Sequence, residues 1–172
     1  VQGYLWQNLA PWEQSLVSSM PFWHLRSISG IAIVSGAMLV AYNIADLFER
    51  AVDAVPDRTA VVCGDTSLTF AEFDQEANKL AHHLLAEGIG AGDHVGIYGQ
   101  NSAEWLIAMM GSFKVRGVPI NINFRYVEDE LAYLFDNADL VALVHDRAYI
   151  DRIEAVAARV PGLRHFVMIE DG

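Results

Sequence analysis

Apolar residues recur at helical spacing through Phe73, Ala77, Leu80, Ala81, Leu84 and Leu85, while Glu72, Asp74, Gln75, Glu76, Asn78 and Lys79 take the other side. This pattern predicts an amphipathic helix with one face for a core and one for water. Both of its ends are written into the sequence. Thr69 followed by Glu72 is a capping box, Leu68 and Phe73 are placed as its hydrophobic staple, and Gly88 with Ile89 folding back on Leu84 forms a Schellman-type stop. Upstream, residues 59–63 and 66–69 read as short strands joined by the two-residue turn Gly64-Asp65, a β-hairpin feeding the helix.

The same pattern extends in both directions. Asn43 is a good N-cap for a helix through about Ala54, with Ile44, Leu47, Phe48, Ala51 and Val55 facing inward and Pro56 as the stop. After the central helix, residues 90–93 turn the chain into a strand at 94–98. Asn101 with Glu104 then opens a helix carrying Trp105, Leu106, Ile107, Met109, Met110 and Phe113. Apolar almost all round, that helix is expected to be buried, and to close at Gly117. Strand 118–122 follows, then a loop at Asn123 to Tyr126. Next comes a helix with Glu128, Asp129 and Glu130 in its first turn, where negative charge complements the dipole, and with Leu131, Leu134 and Phe135 inward. Strand 140–144, a helix over 149–160 with Ile150, Ile153, Val156, Ala157 and Val160 inward, and strand 165–169 complete the chain. Strands alternating with helices imply an α/β layered fold, a mostly parallel sheet with right-handed crossovers, flanking helices and the hairpin ahead of it.

Residues 1–40 break the pattern. They hold three of the four tryptophans, and 27–45 carries no charge at all, nearly the length of a membrane span. Gly30, Gly36 and three serines interrupt that run, so a membrane attachment through 27–45 is the second reading. The first is a leader over 1–40 lying upstream of a natural start at Met38, with 41–172 as the folded part.

With 53% hydrophobic residues in a chain of 172, a globular core is expected. The balance of 22 acidic against 11 basic residues, net −11, disfavours nucleic acid as a partner. The single cysteine, Cys63, forbids an internal disulfide and fits a reducing, cytoplasmic compartment. Chemistry is sparse. Gly88, Gly90 and Gly92 leave a helix and enter a strand, the reverse of a dinucleotide fingerprint, and read as cap and turn residues. Gly99-Gln100-Asn101-Ser102 does join a strand to a helix, where backbone N–H groups could meet an anion, but capping is the preferred role. His82 and His83 diverge by about 100° on their helix, and His24, His94, His145 and His165 lack metal-ligand spacing.

Taken together, several stretches resemble the N-terminal part of the adenylate-forming enzymes, the superfamily of acyl-CoA synthetases, peptide-synthetase adenylation domains and luciferases. They are Pro56-Asp57-Arg58-Thr59-Ala60, Gly64-Asp65-x-Ser67-Leu68-Thr69-Phe70-x-Glu72, Asn78-Lys79-Leu80-Ala81, Gly90-x-Gly92-Asp93-x-Val95, Asn101-Ser102-x-Glu104 and Phe124-Arg125-Tyr126. The resemblance covers 43–172, and residues 121–137 are most similar to actinobacterial fatty-acyl and steroid-side-chain CoA ligases.

It implies an AMP-forming ligase. A fatty or related carboxylic acid would be activated with ATP and Mg²⁺ to an acyl-adenylate and passed to CoA. The family's phosphate loop, nucleotide contacts and C-terminal lysine have no counterpart in this sequence. No catalytic, cofactor-binding or metal-binding residue is therefore assigned, and the chain alone is expected to be inactive. A free-standing scaffold or interaction module is the alternative from another class.

Overall fold

The computed structural model describes residues 44–169. They open with helix α1 (44–54), the hairpin strands β1 (Thr59–Cys63) and β2 (Thr66–Thr69), and helix α2 (Phe70–Ala86). Next come β3 (His94–Tyr98), α3 (Ala103–Lys114), β4 (Val118–Ile122) and α4 (Glu128–Asn137). The series ends with β5 (Leu140–Asp146), a 3-10 turn (Arg147–Tyr149), α5 (Ile150–Ala157) and β6 (His165–Ile169). The predicted cap at Asn43, the leader and most of the charge-free run lie outside the described residues. Among the described residues no helix is long and apolar enough to cross a membrane.

Strands β3 to β6 form one parallel sheet in the order β4-β3-β5-β6, while β1 and β2 pair antiparallel in a separate ribbon. The chain leaves β3 to add β4 on one side, then crosses back to add β5 on the other. Right-handed crossovers therefore put α3 on one face and α4 and α5 on the opposite one. The strands serve both faces by simple alternation. Val95, Ile97, Ala142 and Val144 meet Ala81, Leu84 and Ala108 of α2 and α3 in one core, and Tyr98 and Leu143 meet Leu131, Phe135, Ile153 and Val156 of α4 and α5 in the other. Pro119, which has no N–H to give a ladder, falls on edge strand β4.

Helix ends follow local chemistry closely. Glu72 N–H donates to Thr69 Oγ1 at 3.2 Å, and the Glu72 carboxylate accepts from Thr69 N–H at 2.8 Å, completing the predicted box. At the other end Gly88 takes φ +77°, its N–H donating to Leu85 O at 3.0 Å while Ile89 N–H donates to Leu84 O at 2.9 Å. The same two-bond stop ends α3, through Arg116 N–H to Phe113 O and Gly117 N–H to Ser112 O, both at 2.9 Å. There the left-handed residue is Arg116 at φ +61°, not the expected Gly117. The α3 cap also shifts by one residue: Ser102 Oγ, not Asn101, accepts from Trp105 N–H at 3.0 Å.

The expected inward faces need four corrections. Leu47 is 69% exposed and Leu85 55%, because each stands at the margin of its helix's apolar stripe. Ile150, in the first turn of α5, is likewise exposed. Helix α3, expected to be buried all round, buries Ala103, Ala108, Gly111 and Ser112, but leaves Trp105, Ile107, Met109 and Met110 partly open and Leu106 exposed. Its small residues explain the asymmetry: a Cβ on Gly111 would stand 3.1 Å from Ala77 O and 2.9 Å from Leu80 Cδ2, so α2 and α3 approach backbone to backbone and the large side chains fan outward.

Candidate functional site

In open α/β sheets, ligands meet the crevice at the carboxyl ends of the strands where the chain reverses its direction of winding. Here that point lies between β3 and β5, bounded by the loop after Tyr98 and the turn after Asp146. Asp146, the last residue of β5, reaches across it. Its carboxylate accepts from Gln100 N–H at 2.8 Å. A Cβ on Gly99 would lie 2.6 Å from Asp146 Oδ1, so glycine at this position is what lets the carboxylate come so close to the loop backbone.

On the adjoining side the fully buried Tyr98 sends its hydroxyl to Tyr126 O at 3.0 Å. The Arg152 guanidinium donates to that hydroxyl at 3.3 Å and to Tyr126 O and Phe124 O at 3.2 and 3.4 Å, tying the loop after β4 to the start of α5. Hydrogen bonding to Tyr98, above all, raises the Arg152 pKa from its ordinary value. Tyr149 completes the cluster, its ring centroid 4.7 Å from that of Tyr98 and its hydroxyl 3.5 Å from Gln100 Nε2.

Groups of the chain itself thus meet across the crevice. The Gln100 N–H goes to Asp146 and the Ser102 hydroxyl caps α3, so the loop at 99–102 spends on structure the groups with which it would meet an anion. The fixed charge that touches the loop is the Asp146 carboxylate, and among the described residues no group of three candidate ligands converges on a metal position. Sequence reasoning singled out the Gly99 loop but not its partner. Tyr98 directly precedes that loop, but Asp146 lies 46 residues beyond Gln100 and Arg152 lies 54 beyond Tyr98, and no local spacing links either to it.

His82 and His83 are exposed on α2. His94 pairs through Nδ1 with Ala138 O, buried His145 through Nδ1 with Asp146 O at 3.0 Å, and His165 lies 3.3 Å from the Glu87 carboxylate. Cys63 Sγ stands 4.0 Å from Asn101 O and bridges the hairpin to the start of α3. Gly92 takes φ +86°, and Gly90 N–H donates to Asp93 Oδ2 at 2.8 Å, as turn residues do. His24 lies outside the described residues.

Beside the crevice, α2, α3 and the ends of β5 and β6 enclose a second hollow of about 290 Å³. Its floor is Leu80, Ile107, Ala108, Val144, Val167 and Ile169, and Glu76, Lys79 and Glu104 stand on its rim.

A doubly wound parallel sheet with an antiparallel side ribbon, its switch point spanned by internal hydrogen bonds, places the described residues among the α/β layered folds. The chain belongs to the AMP-binding enzyme family, whose model matches residues 48–171. It is 54% identical over 135 residues to a medium/long-chain-fatty-acid and 3-oxocholest-4-en-26-oate CoA ligase of Mycobacterium marinum, covering 78% of this chain and 24% of that protein. It is 47% identical over 133 residues to a 3-oxocholest-4-en-26-oate CoA ligase of Rhodococcus rhodochrous, covering 77% and 24%. Among solved structures, an anthranilate CoA ligase in complex with anthranoyl-AMP superposes with a TM-score of 0.70 at 27% identity, covering 73% of this chain and 24% of that one. The chain spans about a quarter of the length of the curated relatives it matches.

Proposed function

We propose that this chain is the opening portion of an ATP-dependent acid–thiol ligase that converts a fatty or steroid-side-chain carboxylic acid to its CoA thioester through an acyl-adenylate. The 54% identity to the Mycobacterium marinum ligase carries this reading. On it, residues 41–172 are the first part of the adenylation domain and 1–40 a leader ahead of it. ATP, Mg²⁺ and CoA serve the intact enzyme in the cytoplasm. The role of this portion is to supply a rigid sheet against which the nucleotide and acyl pockets are assembled. The half-open side of α3 and the outer edge of β6 are the surfaces it offers to the rest of the enzyme.

Holding a triphosphate for in-line attack needs several clustered donors and a cation fixed in advance. The loop at 99–102 has already committed its Gln100 amide and Ser102 hydroxyl. The 172-residue protein alone is therefore expected to release no pyrophosphate from ATP and Mg²⁺ with a panel of fatty and steroid-side-chain acids. Acid-dependent release above that of a heat-inactivated control would overturn the assignment of catalysis to other parts of the enzyme.

A further inference from the structure

Lys114, the last residue of α3, has a side chain only 6% exposed, and two carboxylates meet its ammonium at 2.8 Å. One is Asp74 of α2 and the other is Glu49 of α1. They are held very differently. Asp74 is largely buried and its Oδ2 accepts from Asn78 Nδ2 at 2.7 Å, whereas the Glu49 side chain is 58% exposed. Hollows of about 280 and 230 Å³ flank the Glu49–Lys114 pair, the first reaching Asp46 and Arg116 and the second Asp53 and Asn78. Along helix α1 no residue of 44–54 is fully buried, and Phe48 turns inward, its ring centroid 5.1 Å from that of Phe73 and 6.2 Å from that of Phe70, with the Lys114 ammonium 5.8 Å from the same ring.

Charge decides what happens when this arrangement opens. Breaking a buried pair is costly when it leaves an uncompensated charge inside. Lys114 with Asp74 is already neutral, so Glu49 is a second, surplus carboxylate. If α1 lifts away, Glu49 enters water, Lys114 keeps Asp74, and the flanking hollows are roomy enough for water to take up the freed donor. We propose that α1 is a strap that opens as a unit, separately from the rest of the described fold, and that Glu49 on Lys114 holds it shut. The ligase reading neither requires nor excludes such a strap.

Hydrogen–deuterium exchange on the 172-residue protein tests it. Glu49→Ala removes the tie without weakening the helix, since alanine is the best helix former. Amides of 44–54 are expected to exchange roughly fivefold faster, the upper end for an ion pair with one exposed partner, with α2, α3 and the sheet at wild-type rates. Asp74→Asn, by contrast, leaves Lys114 dependent on the strap and is expected to speed exchange in α2 and α3 as well. Unchanged exchange at 44–54 in Glu49→Ala, or equal acceleration of α2 and α3 in that variant, overturns the proposal. If Asp74→Asn does not fold, Glu49→Ala alone decides.

Discussion

Asp139 stands at φ +47°, one residue past the cap of α4, in a conformation that glycine reaches more readily than any L side chain. Its N–H donates to Asp136 O at 3.0 Å as the stop requires, and its side chain is exposed, so nothing in the structure depends on the carboxylate. Asp139→Gly is expected to raise stability by about 1 kcal/mol, read as a higher denaturant midpoint at unchanged slope. Glu72 makes the complementary case, a side chain whose charge is used. The hydrogen bond from Thr69 N–H, and then that from the Thr69 hydroxyl, lowers its pKa from 4.5. A carboxyl depressed on folding contributes stability that is present above its unfolded value and lost as pH falls through the folded one. The loss therefore falls below about pH 4.5, and Glu72→Gln should flatten that acid limb of the stability–pH curve relative to wild type.

At the scale of elements, what the sequence states locally is what it states correctly. The hairpin, α2 with both ends, β3 and β6 are found where period and cap chemistry put them, because a capping box or a glycine stop acts within six residues. Burial is less legible. Leu47, Leu85 and Ile150 sit at stripe margins whose depth is set by neighbours distant in sequence, and periodicity marks α3 as core because it counts apolar residues without regard to what faces them. The signal that was available is its small residues, Ala108 and Gly111, which mark the side that α2 approaches. Gly111→Val tests that contact. The new side chain would press on Ala77 O, a backbone atom that cannot swing aside, and overpacking of this kind costs about 1–3 kcal/mol, measurable by thermal or denaturant unfolding.

At the scale of the whole molecule, alternation of strand and helix was enough to predict a parallel layered fold, but not the strand order, and the order creates the crevice. The Gly99 loop was visible as a strand-to-helix junction, while its closure by Asp146, 46 residues away along the chain, was not. That order also has a consequence in time. β3 lies inside the sheet yet is made first of its four strands, and the neighbour that closes its second side, β5, follows about 40 residues later. At ribosomal rates of roughly 5–20 residues per second the nascent chain waits some seconds with Val95 and Ile97 on an unpaired edge. Until β5 joins it, that side of β3 presents unpaired N–H and C=O groups, a template on which another chain could pair.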